Sequence, residues 1–362
     1  MSVKSRALQF LVLVIFLFAM NSFFAKIIGA NEKIRLPHFA GSWYPLQAAI
    51  LDKDMSKFLD NAKTTQSDTD NILALIAPHA GYMFSGQTAA FAYRLLSSNK
   101  YKRVFLLGPS HHIPFKGAVL PKEDIFETPL GELVVDKTTV NRLLQKPYFN
   151  QDSSVFDTEH SLEMQLPWIR KTLGKVKLIP IAVGMVGAPE VEQIAEAIKC
   201  ELTDGDLVIV SSDFTHYGPR FDYQPFLNEK NQISLQAKIK ELDLQAFNCV
   251  KTCDSQTLLD FYSRTSDTIC GIYPTAVLLS LLPAGAQAKL LNYRTSQDFD
   301  KDPDGNSVTY MSIIFTSKDQ NWLKAFKNAK TPSQKPFTEA EGKALLKLAR
   351  LTLQDHLQGK KK

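Results

Sequence analysis

The residues best suited to chemistry are a few histidines, one cysteine and one aspartate, each just past an apolar run that turn-forming residues stop. Ile72 to Ala77 runs into Pro78-His79, and Val104 to Leu107 into Gly108-Pro109-Ser110 and then His111-His112. Leu207 to Val210 runs into Ser211-Ser212-Asp213 and then His216, while Thr268-Ile269 leads to Cys270. Short Val/Ile/Leu-rich runs bounded in this way predict buried strands, and ligands of open α/β sheets sit just outside the carboxyl ends of the strands. Four stops of one kind predict one shared site. His79, His111 and Cys270 would bring it two imidazoles and one thiolate, three protein ligands that leave positions open for water or substrate. That donor set fits zinc, copper or iron, and the thiolate favours the softer end of the range.

Asp213 and His216 are three residues apart, which predicts one side of a turn, where the carboxylate holds an imidazole that shuttles protons. The alternative is that Asp213 caps local backbone and His216 only packs. His112, His160 and Glu163 are expected around the ligands. Ser110 beside His111 lacks a G-x-S-x-G elbow, which leaves a serine-hydrolase reading little support. Gly41-Ser42-Trp43-Tyr44 reads as a buried aromatic anchor or as a pocket floor, the anchor being preferred.

Positioning these residues requires an alternation of strands and helices, and the pattern supplies it. A helix is expected over residues 46–62, a loop over 64–71 and strands over 72–77 and 104–107, with a helix over 87–97 between them. Shorter strands follow near 117–120 and 132–135. Asp157 or Thr158 is the expected cap of a helix carrying Leu162, Leu166, Ile169 and Leu173. Then come a strand at 177–183, a helix at 189–200, a strand at 207–211, a helix-rich polar stretch over 221–264, a helix at 273–282 and closing strands at 288–294 and 308–316. This order predicts an α/β domain over residues 31–317, its sheet mostly parallel or mixed, with helices on both faces. Lys318 to Phe337, with Pro332 and Pro336, reads as a linker. Residues 338–362 read as an amphipathic helix: Thr338 and Glu341 have capping-box spacing, and Leu345, Leu348, Leu353 and Leu357 share a face.

The formal charge of +5 is carried by the ends. Residues 1–30 hold Lys4, Arg6 and Lys26 with no acid, and residues from 318 on hold eleven basic residues against four acidic ones, so the stretch between them is mildly acidic. A basic groove for nucleic acid is therefore not expected. Lys4 and Arg6 before the apolar run Ala7 to Met20 predict a signal peptide or an uncleaved N-terminal membrane anchor over residues 1–30. Either puts the rest of the chain outside the cytoplasm, periplasmic or extracellular, with the membrane touched only through this segment. Four cysteines, Cys200, Cys249, Cys253 and Cys270, have no zinc-finger spacing and are too few to frame a fold of 362 residues.

Six blocks carry a family resemblance: AGSWYP at 40–45, APHAGYMFSG at 77–86, LGPSHH at 107–112, EHSLEMQLP at 159–167, SSDFTHYG at 211–218 and TICGIYP at 268–274. They resemble the signature blocks of the Memo family, called AmmeMemoRadiSam system protein B in bacteria, and follow the family's order. The resemblance implies a fold similar to the LigB-type catalytic subunit of class III extradiol dioxygenases, with a metal pocket at one sheet edge. It also implies His79, His111 and Cys270 as metal ligands, and His216, with Asp213 beside it, at the position of the dioxygenases' acid/base histidine. Those dioxygenases hold Fe(II) with two histidines and a carboxylate. A thiolate in third place here is a departure, so ring cleavage is not carried over. The tail FTEAEGKALLKLARLTLQDHL resembles the opening helix of an AMMECR-type domain, which implies a truncated fusion and, as partners, AMMECR-type and radical SAM proteins of the same bacterial set.

The leading expectation is an exported metal-dependent oxidoreductase, with one transition metal ion, iron or copper ahead of zinc, acting on an unknown small molecule. The alternative is a non-catalytic metal- or peptide-binding protein that uses the pocket for recognition. A zinc hydrolase employing metal-bound hydroxide is a third chemistry open to the ligand set.

Overall fold

The computed structural model describes residues 32–64, 71–98, 100–229, 231–302, 305–318 and 322–328. Its centre is a run of parallel strands: β8 (Lys177–Val183), β3 (Arg103–Pro109), β9 (Asp206–Ser211) and β2 (Ile72–Ala77), neighbours in that order. Every residue of β2 and β9 is buried, as is all of β3 after Arg103 and all of β8 after Lys177. Strands buried on both faces are the mark of a sheet covered on both sides, which is why these runs read as continuous apolar stretches with no alternation. Helix Tyr82–Tyr93 packs on β2, and helix Ile272–Leu281 packs on β3, β8 and β9.

The sheet is mixed. Beyond β2 the strand β12 (Ser307–Thr316) runs antiparallel and also pairs with β11 (Gln287–Thr295) and with the two-residue strand β10 (His216–Tyr217). At the other edge, β6 (Leu133–Val135) joins β8 in parallel and leads to β5 (Ile125–Phe126) and β1 (Ile34–Arg35). The parallel register aligns Ala77 with Ser211 and Pro109 with Val183. His79, His111 and Asp213 therefore leave the sheet at one edge.

Two expectations about elements are corrected. The helix foreseen from Asp157 or Thr158 is preceded by one turn, Ser154–Asp157, and is itself split into His160–Glu163 and Leu166–Leu173, the break falling where Pro167 fits only the first turn of a new helix. Glu159, not either foreseen residue, caps the middle piece by accepting the Ser161 N–H at 2.7 Å. The foreseen linker is not unstructured throughout: helix Trp322–Asn328 lies within it. Trp322 is 1% exposed and its indole N–H donates to the Asp206 carbonyl at 3.0 Å, so a large apolar area with its one donor satisfied holds this segment against the domain. The N-terminal leader and the amphipathic tail helix lie outside the described residues.

Candidate metal centre

His79 follows β2 and its ring is 1% exposed. Its Nδ1 lies 3.0 Å from Ser211 Oγ. That hydroxyl gives its own proton to the Ser161 carbonyl at 2.6 Å and accepts from Gln165 Nε2 at 2.8 Å, so it can only accept from the imidazole. His79 Nδ1 thus carries the proton and Nε2 keeps a bare lone pair. Nε2 is buried and has no hydrogen-bond partner among the described residues. An unpaired polar atom in a packed interior costs free energy unless something binds it.

His111, after β3, is fixed in the same tautomer by different means. Its Nδ1 lies 2.8 Å from Glu159 Oε1, and its backbone N–H donates to Glu159 Oε2 at 2.6 Å. A carboxylate holding the far nitrogen of an imidazole leaves Nε2 as the donor to a metal. Burial works to raise the Glu159 pKa, but the hydrogen bonds from His111 and the nearby charges of His111 and His160 hold it down to about 2. Cys270 enters from the loop before helix Ile272–Leu281, where bare Gly271 abuts Ser212 and its N–H donates to Ser212 Oγ at 3.0 Å.

One donor atom from each of His79, His111 and Cys270 lies within 4.8 Å of the others. The sequence-derived trio is thus brought together, and the buried, unpaired Nε2 of His79 together with the held tautomer of His111 fits a bound cation. Burial, followed by the negative charge of Asp213 and Glu159, pushes the Cys270 thiol well above its usual range. A cation between the donors is the charge that reverses this. His111, Glu159 and His160 form a second close group, but both Glu159 oxygens are already engaged, so this group supports His111.

The other foreseen residues fall in several places. His160 is part of the pocket wall, stacked on His111 with ring centroids 4.3 Å apart and 4.5 Å from Trp43. Burial, then the neighbouring His79 and His111, lowers its pKa to about 2. His112 is exposed, its ring centroid 6.4 Å from that of His111. Glu163 sits away from the donors and clamps the segment before Trp43: it accepts from Arg35 at 2.6 Å, from the backbone N–H groups of His38 and Phe39, and from Tyr44 Oη at 2.8 Å. Tyr44 is the buried anchor, while Trp43 lines the pocket.

The expected Asp213–His216 hydrogen bond gives way to another pairing. Asp213 Oδ1 accepts the backbone N–H of His79 at 2.8 Å, and Oδ2 stands 4.0 Å from His79 Nε2. His216 instead donates from Nδ1 to the Phe214 carbonyl at 2.8 Å, with the Thr268 carbonyl at 3.1 Å. Its Nε2 is then unprotonated and lies 3.6 Å from Cys270 Sγ. Burial lowers the His216 pKa, against the pull of Asp213, which favours the neutral ring. Burial raises the Asp213 pKa. These groups open into a pocket of about 570 Å³ whose wall also includes Phe84, Arg220 and Phe221.

The Memo-like protein family matches residues 35–314, nearly the whole described domain. This chain belongs to the Memo-like family. A Memo-1 homolog of Caenorhabditis elegans is 32% identical over 281 residues, 76% of this chain and 78% of the relative. The human protein MEMO1 is 30% identical over 289 residues, 78% of this chain and 91% of the relative. The uncharacterized protein JW3007 of Escherichia coli K12 superposes on 67% of this chain and 99% of its own at a TM-score of 0.41 and 10% identity. In this Memo-like chain the sequence did not point to Ser211, Gln165, Arg35 or Arg220 as part of the site. Nor did it mark Glu159 as the support of His111, although Glu159 stands directly before His160 in the block EHSLEMQLP.

Proposed function

We propose that this Memo-family protein is exported and holds one transition metal ion on His79, His111 and Cys270 for oxidoreductase chemistry on a small molecule, iron or copper suiting the site better than zinc. The observation that carries this reading is the His79 imidazole, buried and tautomer-locked, with a bare Nε2 that nothing among the described residues pairs. Iron or copper bound there would supply one-electron redox chemistry beside the pocket. The thiolate that Cys270 must become needs an acceptor for its proton, and His216 Nε2 at 3.6 Å is placed to take it. Because Nδ1 of His216 is tied to a backbone carbonyl, proton traffic at this ring is confined to Nε2. Trp43, Phe84 and Phe221 give the pocket apolar walls, and Arg220 offers a cation to a polar end of the substrate. Export rests on the basic and then apolar leader of residues 1–30.

X-ray absorption on the metal as isolated tests the site, with oxygen consumption in the presence of a reductant as the test of activity. The expected result is iron or copper with sulfur in its coordination shell, the sulfur lost in Cys270→Ser, and a His216→Ala variant that keeps metal and sulfur but loses turnover. Zinc, or a shell without sulfur, contradicts the reading. A tightly held metal with no turnover in the parent leaves the non-catalytic metal- or peptide-binding alternative.

A further inference from the structure

His111 and Cys270 line two cavities: the pocket just described and a second, rear chamber of about 430 Å³. The pair is therefore a wall shared by both. The rear chamber lies where the loop after β3 meets the end of β8 and the start of helix Ile272–Leu281. Its wall includes Ile113, Phe115, Val183, Ile269, Tyr262 and Tyr273, and no Lys, Arg, Asp or Glu is among the described residues lining it. Met185, 55% exposed, also lines it, and this exposure puts that residue on the side facing solvent.

Its shape is held by backbone pairing. Met185 N–H donates to the Phe115 carbonyl and Gly184 N–H to the Gly117 carbonyl, each at 2.9 Å, while Ser110 Oγ donates to the Ile113 carbonyl at 2.7 Å. A side chain at Gly184 would collide with Phe115, so the glycine is what lets this loop close on the strand end. Tyr262 and Tyr273 meet edge to face with centroids 6.2 Å apart, and both line the chamber.

We propose that this rear chamber binds an uncharged single-ring aromatic molecule carrying a hydroxyl or other small polar group, seated beside His111 and Cys270. An apolar cavity of about 150 Å³ is enough to take benzene, so the volume here accommodates a substituted ring. Aromatic edges and aliphatic walls suit the ring, and the tyrosine hydroxyls suit a polar substituent. An anion has no cationic side chain to meet it, and burying one unpaired is costly. The inference rests on the proposed function only in calling the shared wall a ligand pair; the chamber itself does not depend on metal.

Benzyl alcohol and benzoate, which share a ring and differ in charge, are the probes, followed by saturation-transfer NMR on protein as isolated and after chelation. Benzyl alcohol is expected to bind in both forms, and benzoate at least about tenfold more weakly. Met185→Trp, an exposed position whose change spares the core, should weaken benzyl alcohol binding at least about tenfold, and Phe84→Trp in the front pocket should not. Absence of benzyl alcohol binding, equal binding of benzoate, or loss in Phe84→Trp with retention in Met185→Trp would overturn the proposal. Metal content measured on the same samples separates the two ideas, since a metal-free parent that still binds benzyl alcohol in the Met185-dependent manner refutes only the metal site.

Discussion

Two buried carboxyls beneath the site share one hydroxyl. Asp243 Oδ1 accepts from Thr215 Oγ1 at 2.7 Å and Thr309 Oγ1 at 3.0 Å, and Oδ2 accepts from Tyr293 Oη at 2.8 Å. Asp267 Oδ2 lies 3.2 Å from the same Thr215 Oγ1, and its Oδ1 has no hydrogen-bond partner among the described residues. Burial, and then the charge of Asp243, raises the Asp267 pKa to about 7, while burial raises that of Asp243 to about 6. A carboxyl whose folded pKa is raised holds its proton more tightly when folded. Its contribution is complete below the ordinary carboxyl range and is lost as pH rises through the folded value. Stability should therefore fall between about pH 5 and pH 8 by on the order of 2 kcal/mol, and Asp267→Asn should remove most of that slope and stabilise the protein at the higher pH. Urea unfolding at the two pH values checks this; a mutant as pH-dependent as the parent contradicts it. At this scale the meeting of His79, His111 and Cys270 was legible because each directly follows a stopped apolar run. The partner of Asp213 was not, because spacing along one segment suggested His216 while the carboxylate reaches the His79 backbone on the neighbouring strand.

At the scale of elements, the segment bearing Trp43 is held by one ion pair. Arg35 and Glu163 have side chains 3% and 0% exposed and meet at 2.6 Å. Arg35 also donates to the carbonyls of Phe156 and Glu159, so it ties the first strand to both short helices. Glu163→Leu would strand a buried guanidinium and leave three other donors unpaired, at a cost of about 3–5 kcal/mol. Replacing both partners, Arg35→Met with Glu163→Leu, should recover part of that loss. Chemical denaturation of the two variants and the parent measures it, and a single variant as stable as the parent would refute the clamp. The strands were legible from their composition, since β2 is apolar throughout and β3 and β9 carry apolar runs at 104–107 and 207–210. The broken helix around Pro167 was not, because Leu162, Leu166, Ile169 and Leu173 keep helical spacing across the break. Trp322 was missed because it stands in a Lys- and Asn-rich stretch, and only the fold shows the surface that receives it.

In the whole molecule, parallel alignment of β2, β3 and β9 brings residues from distant parts of the chain to one sheet edge, and Cys270 reaches it from a loop beside them. The support behind the donors is equally distributed: Glu159 reaches His111 from 48 residues away and Ser211 reaches His79 from 132. Such pairings have no local signature, which is why the donor trio could be anticipated from sequence and its supports could not. The most direct measurement is the metal content of the purified protein beside its His79→Ala, Cys270→Ser and His216→Ala variants, by elemental analysis. About one metal per chain is expected in the parent and in His216→Ala, and a loss of at least about tenfold in occupancy in the two ligand variants. Metal content unchanged in both His79→Ala and Cys270→Ser would contradict the shared site.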